Sequence, residues 1–382
     1  MTRHHRASIL RLTMTLGTVL AACSPEAPDN PAATGGTFVA TGGRPAGTGG
    51  TATGGRQTGG NATGGTATGG KASGGTATGG KASGGNPSGG SAPVAKFVGN
   101  ITTGNSVNPS GLTYYKYWNQ ITPENQGKWG SVQSTPSSSF NWASLDTIYN
   151  YTETNKIIFK EHTFVWGPQQ PNGTPTLAQV ENWIKSFCQR YPNTKLIDVV
   201  NEPPPHTTPN YTSNLGAGEG GSWPWITKAF KLARQYCPSA ILILNDYNNV
   251  ELTGDRNHTV DIVKDIKANG APIDAIGCQA HGLRTASGTT TQTNLAYLNS
   301  QTGLPIYITE FDIDNADDNA QLTSYQTHVS VFLSTSYVHG ITVWGWILGR
   351  TWQTNSGIVN GTTPRPAMTW LMQQLGRPIP PN

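Results

Sequence analysis

The chain has 382 residues, 35% of them hydrophobic and only 12% charged, with 25 Lys and Arg against 21 Asp and Glu and a formal net charge of +4. So small a surplus gives no basic field for nucleic acid, and a neutral partner is the simpler expectation.

Residues 1–22 begin with Arg3, Arg6 and Arg11 and continue through an apolar stretch from Leu12 to Ala22 that is too short and too broken to span a membrane. They are predicted to be an export signal. The end of the stretch, Leu20-Ala21-Ala22-Cys23, resembles the bacterial lipobox, which implies that Cys23 is the lipidated first residue of the mature protein; the alternative is an ordinary small-residue cleavage site with an incidental Cys. A lipidated Cys23 would anchor the protein to a membrane without spanning it, so a cell-surface or outer-membrane lipoprotein, or a secreted protein, is expected. Residues 23–94 follow as a linker, dominated from Thr34 to Ser91 by repeats such as "TGGTATGGKASGG" that hold almost nothing able to form a core. A Gly-rich coil of that length spans on the order of 45–50 Å.

Residues 95–382 then alternate apolar strand-like runs with helical patterns. The strand candidates are "FVGNIT" (97–102), "QITPEN" (120–125), "KIIFKEHTFVW" (156–166), "LIDVVNE" (196–202), "AILILNDY" (240–247), "DAIGCQAH" (274–281), "PIYITEFDI" (305–313) and "GITVWGW" (340–346). Between them, "TLAQVENWIKSFCQRY" (176–191) repeats Leu177, Val180, Trp183, Ile184 and Phe187 at helical spacing, and three similar stretches follow. Eight strand-then-helix units, with runs apolar on both faces, predict one α/β domain built as a closed (β/α)8 TIM barrel. Cys188 and Cys237 fall near the ends of neighbouring predicted helices, where an exported protein could join them, although spacing alone does not show whether their Cβ vectors converge. Cys278 reads as a small apolar core residue.

In such a barrel the site lies at the carboxyl ends of the strands. Glu202 ends the fourth run and Glu310 lies near the end of the seventh, so two carboxylates should face each other across the mouth. That pair is the minimum equipment for glycoside hydrolysis, one group donating a proton and the other acting as nucleophile or base.

These strings, in this order, resemble those of the glycoside hydrolase family ten endo-1,4-β-xylanases over essentially all of 95–382. The resemblance implies a retaining enzyme on xylan or a related β-1,4-linked polysaccharide; no cofactor and a monomer are expected, and His162, His206, His258 and His281 form no close ligand pair for a metal. "DVVNE" implies Glu202 as acid/base with Asn201 beside it, and "ITEFDI" implies Glu310 as nucleophile with Asp312 in support. "TPENQGKW" implies that Glu124, Asn125 and Lys128 bind the sugar in the subsite beyond the cleaved one; "HTFVW" adds His162 and Trp166, with Gln169 following. "NDYN" adds Asn245 and Tyr247, "IGCQAH" adds Gln279 and His281, expected to orient Glu310 and hold it ionised, and "TVWGWILGRTW" adds Trp344 and Trp352. Tryptophan faces suit pyranose rings, and the amides, imidazoles and ammonium suit hydroxyls.

Three departures from the family pattern bear on substrate. Gly167 replaces a His after Trp166, Ile197 replaces the Trp opening the acid/base motif, and Arg350 lies where many members carry an Asp-Lys pair. "NEP" at Asn201 to Pro203 is also similar to related barrel cellulases. An endo-β-1,4-glucanase or a dual enzyme therefore stands as an alternative, and a non-catalytic polysaccharide-binding lipoprotein as another. "GAGEGG" (216–221) lacks the strand and acidic partner of a dinucleotide site, and "DIDNADDN" breaks calcium-loop spacing.

Overall fold

In the computed structural model, which describes residues 96–381, the eight runs become β1 (Phe97–Ile101), β2 (Gln120–Thr122), β3 (Ile158–Val165), β4 (Leu196–Asn201), β5 (Ile241–Asp246), β6 (Ala275–Cys278), β7 (Ile306–Phe311) and β8 (Val338–Val343). The export signal 1–22, Cys23 and the linker 23–94 lie outside the described residues. Each strand pairs in parallel with the next, and β1 pairs with β8 to close the barrel. Closure leaves no unpaired edge in the barrel sheet. Several runs are shorter as strands than their apolar pattern: β2 stops at Thr122 and β6 at Cys278, so Glu124, Gln279 and His281 sit in the loops beyond.

The helix Leu177–Arg190 shows why the sequence folds locally as it does. Thr176 and Gln179 form a reciprocal capping box that satisfies the first amides, and Val180, Trp183, Ile184 and Phe187 are buried against the barrel. Burying each such side chain contributes roughly 1.5–3 kcal/mol. At the helix end Cys188 is bonded to Cys237, just past the helix Pro224–Tyr236, a pairing the sequence had left open. A crosslink 49 residues apart in sequence restricts the unfolded chain by about 4 kcal/mol in the chain-entropy account. Cys278 is buried, as its apolar setting predicts.

Inside the barrel, side chains alternate along each strand, and the inward set fills the space in layers. Phe97, Leu196, Ile241, Ile243, Ala275 and Tyr307 form an apolar layer with Ile158. Gly340 makes this possible: a Cβ there would lie 2.3 Å from the Phe97 ring. Two residues further along the same strands the layer turns polar, because Lys160 follows Ile158 and Asp198 follows Leu196; both are fully buried and paired with each other. The next step toward the mouth brings in His162 and Asn245.

At that level the ladders slip. Register shifts occur between His162 and Val165, between Asp198 and Val200, and between Ile308 and Phe311. Such irregularities re-aim side chains. The shift in β4 sets Asn201 opposite Asn245, and the shift in β7 turns Glu310 inward directly after the inward Thr309.

Candidate active site

Glu202 stands one residue beyond β4, at a φ of +50° that a non-glycine residue rarely adopts. Such a backbone costs about 1–3 kcal/mol and persists only when its surroundings hold it. Here the Glu202 N–H donates to the Asn245 carbonyl at 2.9 Å, and the Glu202 carbonyl accepts from the Thr207 N–H and hydroxyl at 3.1 and 2.7 Å. The side chain is fixed as well. Trp166 Nε1 donates to Oε2 at 2.8 Å and Gln279 Nε2 to Oε1 at 3.0 Å.

Glu310, in β7, is only 4% exposed. Asn245 Nδ2 donates to its Oε1 at 2.7 Å, and His281 Nε2 lies 3.4 Å from its Oε2. Burial pushes this carboxyl up, but the charges of His162, His281 and Lys160 and the bond from His281 outweigh burial and bring it down to about 2. For His281, burial works downward, while Asp312 and Glu310 raise the imidazole to about 10. An imidazolium donates from both nitrogens, and Nδ1 reaches Asp312 Oδ1 at 2.8 Å. Asp312 also accepts from Trp352 Nε1 at 2.6 Å.

A chain of amides joins the two carboxylates. From Glu202 Oε1 it runs to Gln279 Nε2, then 3.3 Å to Asn201 Oδ1, 2.7 Å to Asn245 Nδ2, and so to Glu310 Oε1. Asn201 Oδ1 thus accepts twice, which fixes which end of its amide is the oxygen. One expectation is corrected here: Gln279 bonds Glu202 and Asn201, not Glu310. Its partner is the acid/base candidate because the loop after β6 brings the amide to the β4 side, while Asn245 takes the place beside Glu310.

The loop after β2 supplies the other predicted groups. Lys128 Nζ donates to Asn125 Oδ1 at 3.0 Å and lies 4.8 Å from the Trp166 ring centroid. Burial lowers the ammonium, and Glu310, Glu124 and Glu202 oppose that. Glu124 accepts from the Gly104 N–H at 3.2 Å, and burial raises its carboxyl against the pull of Lys128 and Arg350. Trp344 is 6% exposed, its ring 5.2 Å from that of His162, whereas Trp352 is 54% exposed and packs on His281 at 4.7 Å. Gln169 lies in the loop after β3, its backbone carbonyl accepting from Gly130 and its Oε1 without a partner among the described residues. Tyr247 stacks on His206.

Lys160, Asp198 and His206 were not identified from the sequence. Asp198 Oδ2 takes both the Lys160 ammonium and His162 Nδ1, the latter at 2.9 Å, and so fixes the imidazole that faces Glu310 at 3.9 Å. Their signal was available: charged residues at alternate positions of apolar runs, on the face that also carries Ile158 and Leu196. His206 lies in a proline-rich loop with no such pattern.

A closed eight-stranded barrel with two fixed carboxylates at its mouth, amides and imidazoles between them and tryptophans around them defines a site of the glycoside-hydrolysing kind. The model for glycosyl hydrolase family 10 matches residues 91–373, and the chain belongs to that family. It is 46% identical over 285 residues to endo-1,4-beta-xylanase B of Cellvibrio japonicus, an alignment covering 72% of this chain and 45% of that protein. It is 33% identical over 237 residues to endo-1,4-beta-xylanase 3 of Hypocrea jecorina, covering 59% and 65%. The chain thus spans less than two thirds of either relative. Among solved structures, xylanase 10B from Thermotoga petrophila in complex with xylobiose shares the fold with a TM-score of 0.62 and 24% identity, covering 73% of this chain and 93% of that one.

Proposed function

We propose that the protein is a retaining endo-1,4-β-xylanase in which Glu310 attacks the anomeric carbon and Glu202 first protonates the leaving oxygen and then activates water. The observation that carries this reading is the opposite treatment of the two carboxylates. Glu310 is buried, held by Asn245 and an imidazolium, and kept ionised at about 2, as a nucleophile requires. Glu202 is half-buried and takes its bonds from an indole and an amide, neither of which is a cation. Carboxylates in such different surroundings suit a nucleophile and a proton-transferring group. Asn201 Nδ2 would bond the 2-hydroxyl of the sugar being cleaved, a contact that strengthens as charge develops. The names of the two relatives support xylan as substrate.

The composition of residues 1–94 and the Cys188–Cys237 bond support export, with Cys23 as a lipid anchor and the Gly-rich stretch as tether. The Gly167 position favours keeping glucan in view. A Cβ there would meet the Thr208 carbonyl group at 3.3 Å, so that the donor found in the family could return only if that loop backbone gave slightly. Product analysis on xylan and mixed-linkage glucan in parallel tests the substrate. Short xylo-oligosaccharides from xylan, with little release from glucan, are expected; preferential glucan cleavage would assign the site to the alternative sugar.

The ion pair makes a pH prediction. Depression of Glu310 contributes stability that is present above the usual carboxylate range and lost as pH falls through about 2. Elevation of His281 contributes stability that is complete below the usual imidazole value and lost as pH rises through about 10. Losing a bond to a charged group, worth about 1.5–3 kcal/mol, corresponds to a shift of about 1–2 pKa units. His281→Gln should therefore move the acid limb of kcat/KM upward by about that amount. A profile that overlays the parent's would remove His281 from control of the nucleophile.

A further inference from the structure

β4 and β7, which carry the two carboxylates, divide the barrel mouth into two arcs: β8, β1, β2 and β3 on one side, β5 and β6 on the other. The Glu124–Lys128 loop and Trp344 belong to the first arc. On the second, the imidazole of His206, from the loop that follows Glu202, lies against the Tyr247 ring with centroids 3.8 Å apart and planes 16° from parallel. Both of its nitrogens are engaged by carboxylates. Nδ1 is 2.7 Å from Asp246 Oδ1, at the end of β5, and Nε2 is 3.0 Å from Asp255 Oδ1, in the first turn of the helix Thr253–Ala268.

A neutral imidazole has one N–H and can donate to only one of two carboxylates; two such contacts select the imidazolium. The direction of its titration agrees, since Asp246 and Asp255 together raise His206 against the lowering effect of burial. A cation on an aromatic face adds attraction beyond packing. One side chain therefore ties the β4 loop, the β5 end and the next helix to a single ring, while Tyr247 remains half-buried.

We propose that His206 is a positioning residue for the leaving-group side of the cleft: it holds Tyr247 as a platform for the sugar bonded through the oxygen that Glu202 protonates. This rests on the xylanase reading above. The topology supplies the side: the family resemblance gives the Glu124–Lys128 loop to the subsite beyond the ring being cleaved, and Tyr247 is on the opposite arc, where burial and then the charge of Glu202 raise its phenol. The stack supplies the mechanism. A ring already fixed by a partner loses little freedom when sugar binds, so its contact energy appears as affinity.

The test uses the full protein and two substrates, xylotetraose, which places sugar on both sides of the cleaved bond, and an aryl β-xylobioside, whose leaving group is a phenol. His206→Ala should raise KM for xylotetraose about three- to tenfold, the scale of one aromatic contact, with kcat and the aryl substrate changed less than about twofold. His206→Gln, which keeps hydrogen-bonding reach without the ring, should show the same split. Tyr247→Ala should match it, and the double variant should lose no more than Tyr247→Ala alone, because the two act as one unit. Equal losses on both substrates, or losses that multiply in the double variant, would overturn the proposal and leave His206 a general fold contact. Failure of the parent protein to cleave either substrate would instead reject the xylanase reading itself.

Discussion

Glu310→Ala is expected to lose on the order of 10⁶ in kcat on every ordinary substrate, the scale seen when a nucleophile that works as part of a unit is deleted. In the proposed mechanism Glu310 supplies the oxygen that bonds the anomeric carbon, and among the described residues no neighbouring group is placed to replace it. Asn245 and Gln279 are amides, Asp312 is held by His281 and Trp352, and Lys128 is a donor. The fold should survive, because the apolar layer below and the Lys160–Asp198 pair do not depend on this side chain. An unchanged circular dichroism spectrum with lost turnover is the expected pair of results. Retention of more than a few per cent of activity on xylan would remove Glu310 from the mechanism.

Glu202→Ala should show a loss that depends on the leaving group. On xylan the departing alkoxide needs a proton, and removing its donor should cost about 10²–10⁴. An aryl xylobioside with a strongly acidic phenol needs no such help, so formation of the glycosyl-enzyme should be nearly preserved while its hydrolysis stalls for lack of a base. A burst of phenol followed by a slow steady state is expected, and azide should accelerate that slow phase. Equal losses on both substrates, with no burst and no rescue, would separate Glu202 from proton transfer.

Much of this was legible in the sequence because parallel barrel strands are buried on both faces and announce themselves as apolar runs. All eight strands lie within or overlap the runs read from the sequence, and the two glutamates stood out because a carboxylate closing an apolar run has no packing role. The partners were less legible. That Asn201 points inward depends on the register shift in β4, and Glu310 turns beside Thr309 through the shift in β7; a strict two-residue alternation would place both differently. Gln279 was assigned to the wrong carboxylate because it lies in a loop, where spacing does not give direction. Asp198 and Lys160 each show as a charge on the inward face of an apolar run, but that pattern does not tell which charge on the neighbouring strand pairs with it. The path of the proline-rich loop that carries His206 to Asp246 and Asp255 has no periodic signature at all. Cys188 and Cys237 were placed near each other by helix order, but their pairing needed the helices' rotation.

The assignment of the two carboxylates is the central claim, and the anomeric configuration of azide adducts tests it most directly. In a retaining mechanism azide meets the glycosyl-enzyme of Glu202→Ala on the face that water would have used, and the product is a β-azide. In Glu310→Ala no covalent intermediate forms, so azide can only displace an activated leaving group from the open face and give the α-azide. Proton NMR of the adduct from each variant, using an aryl β-xylobioside donor, reads the outcome. The account predicts β from Glu202→Ala and α from Glu310→Ala; the reverse pair of configurations would contradict it.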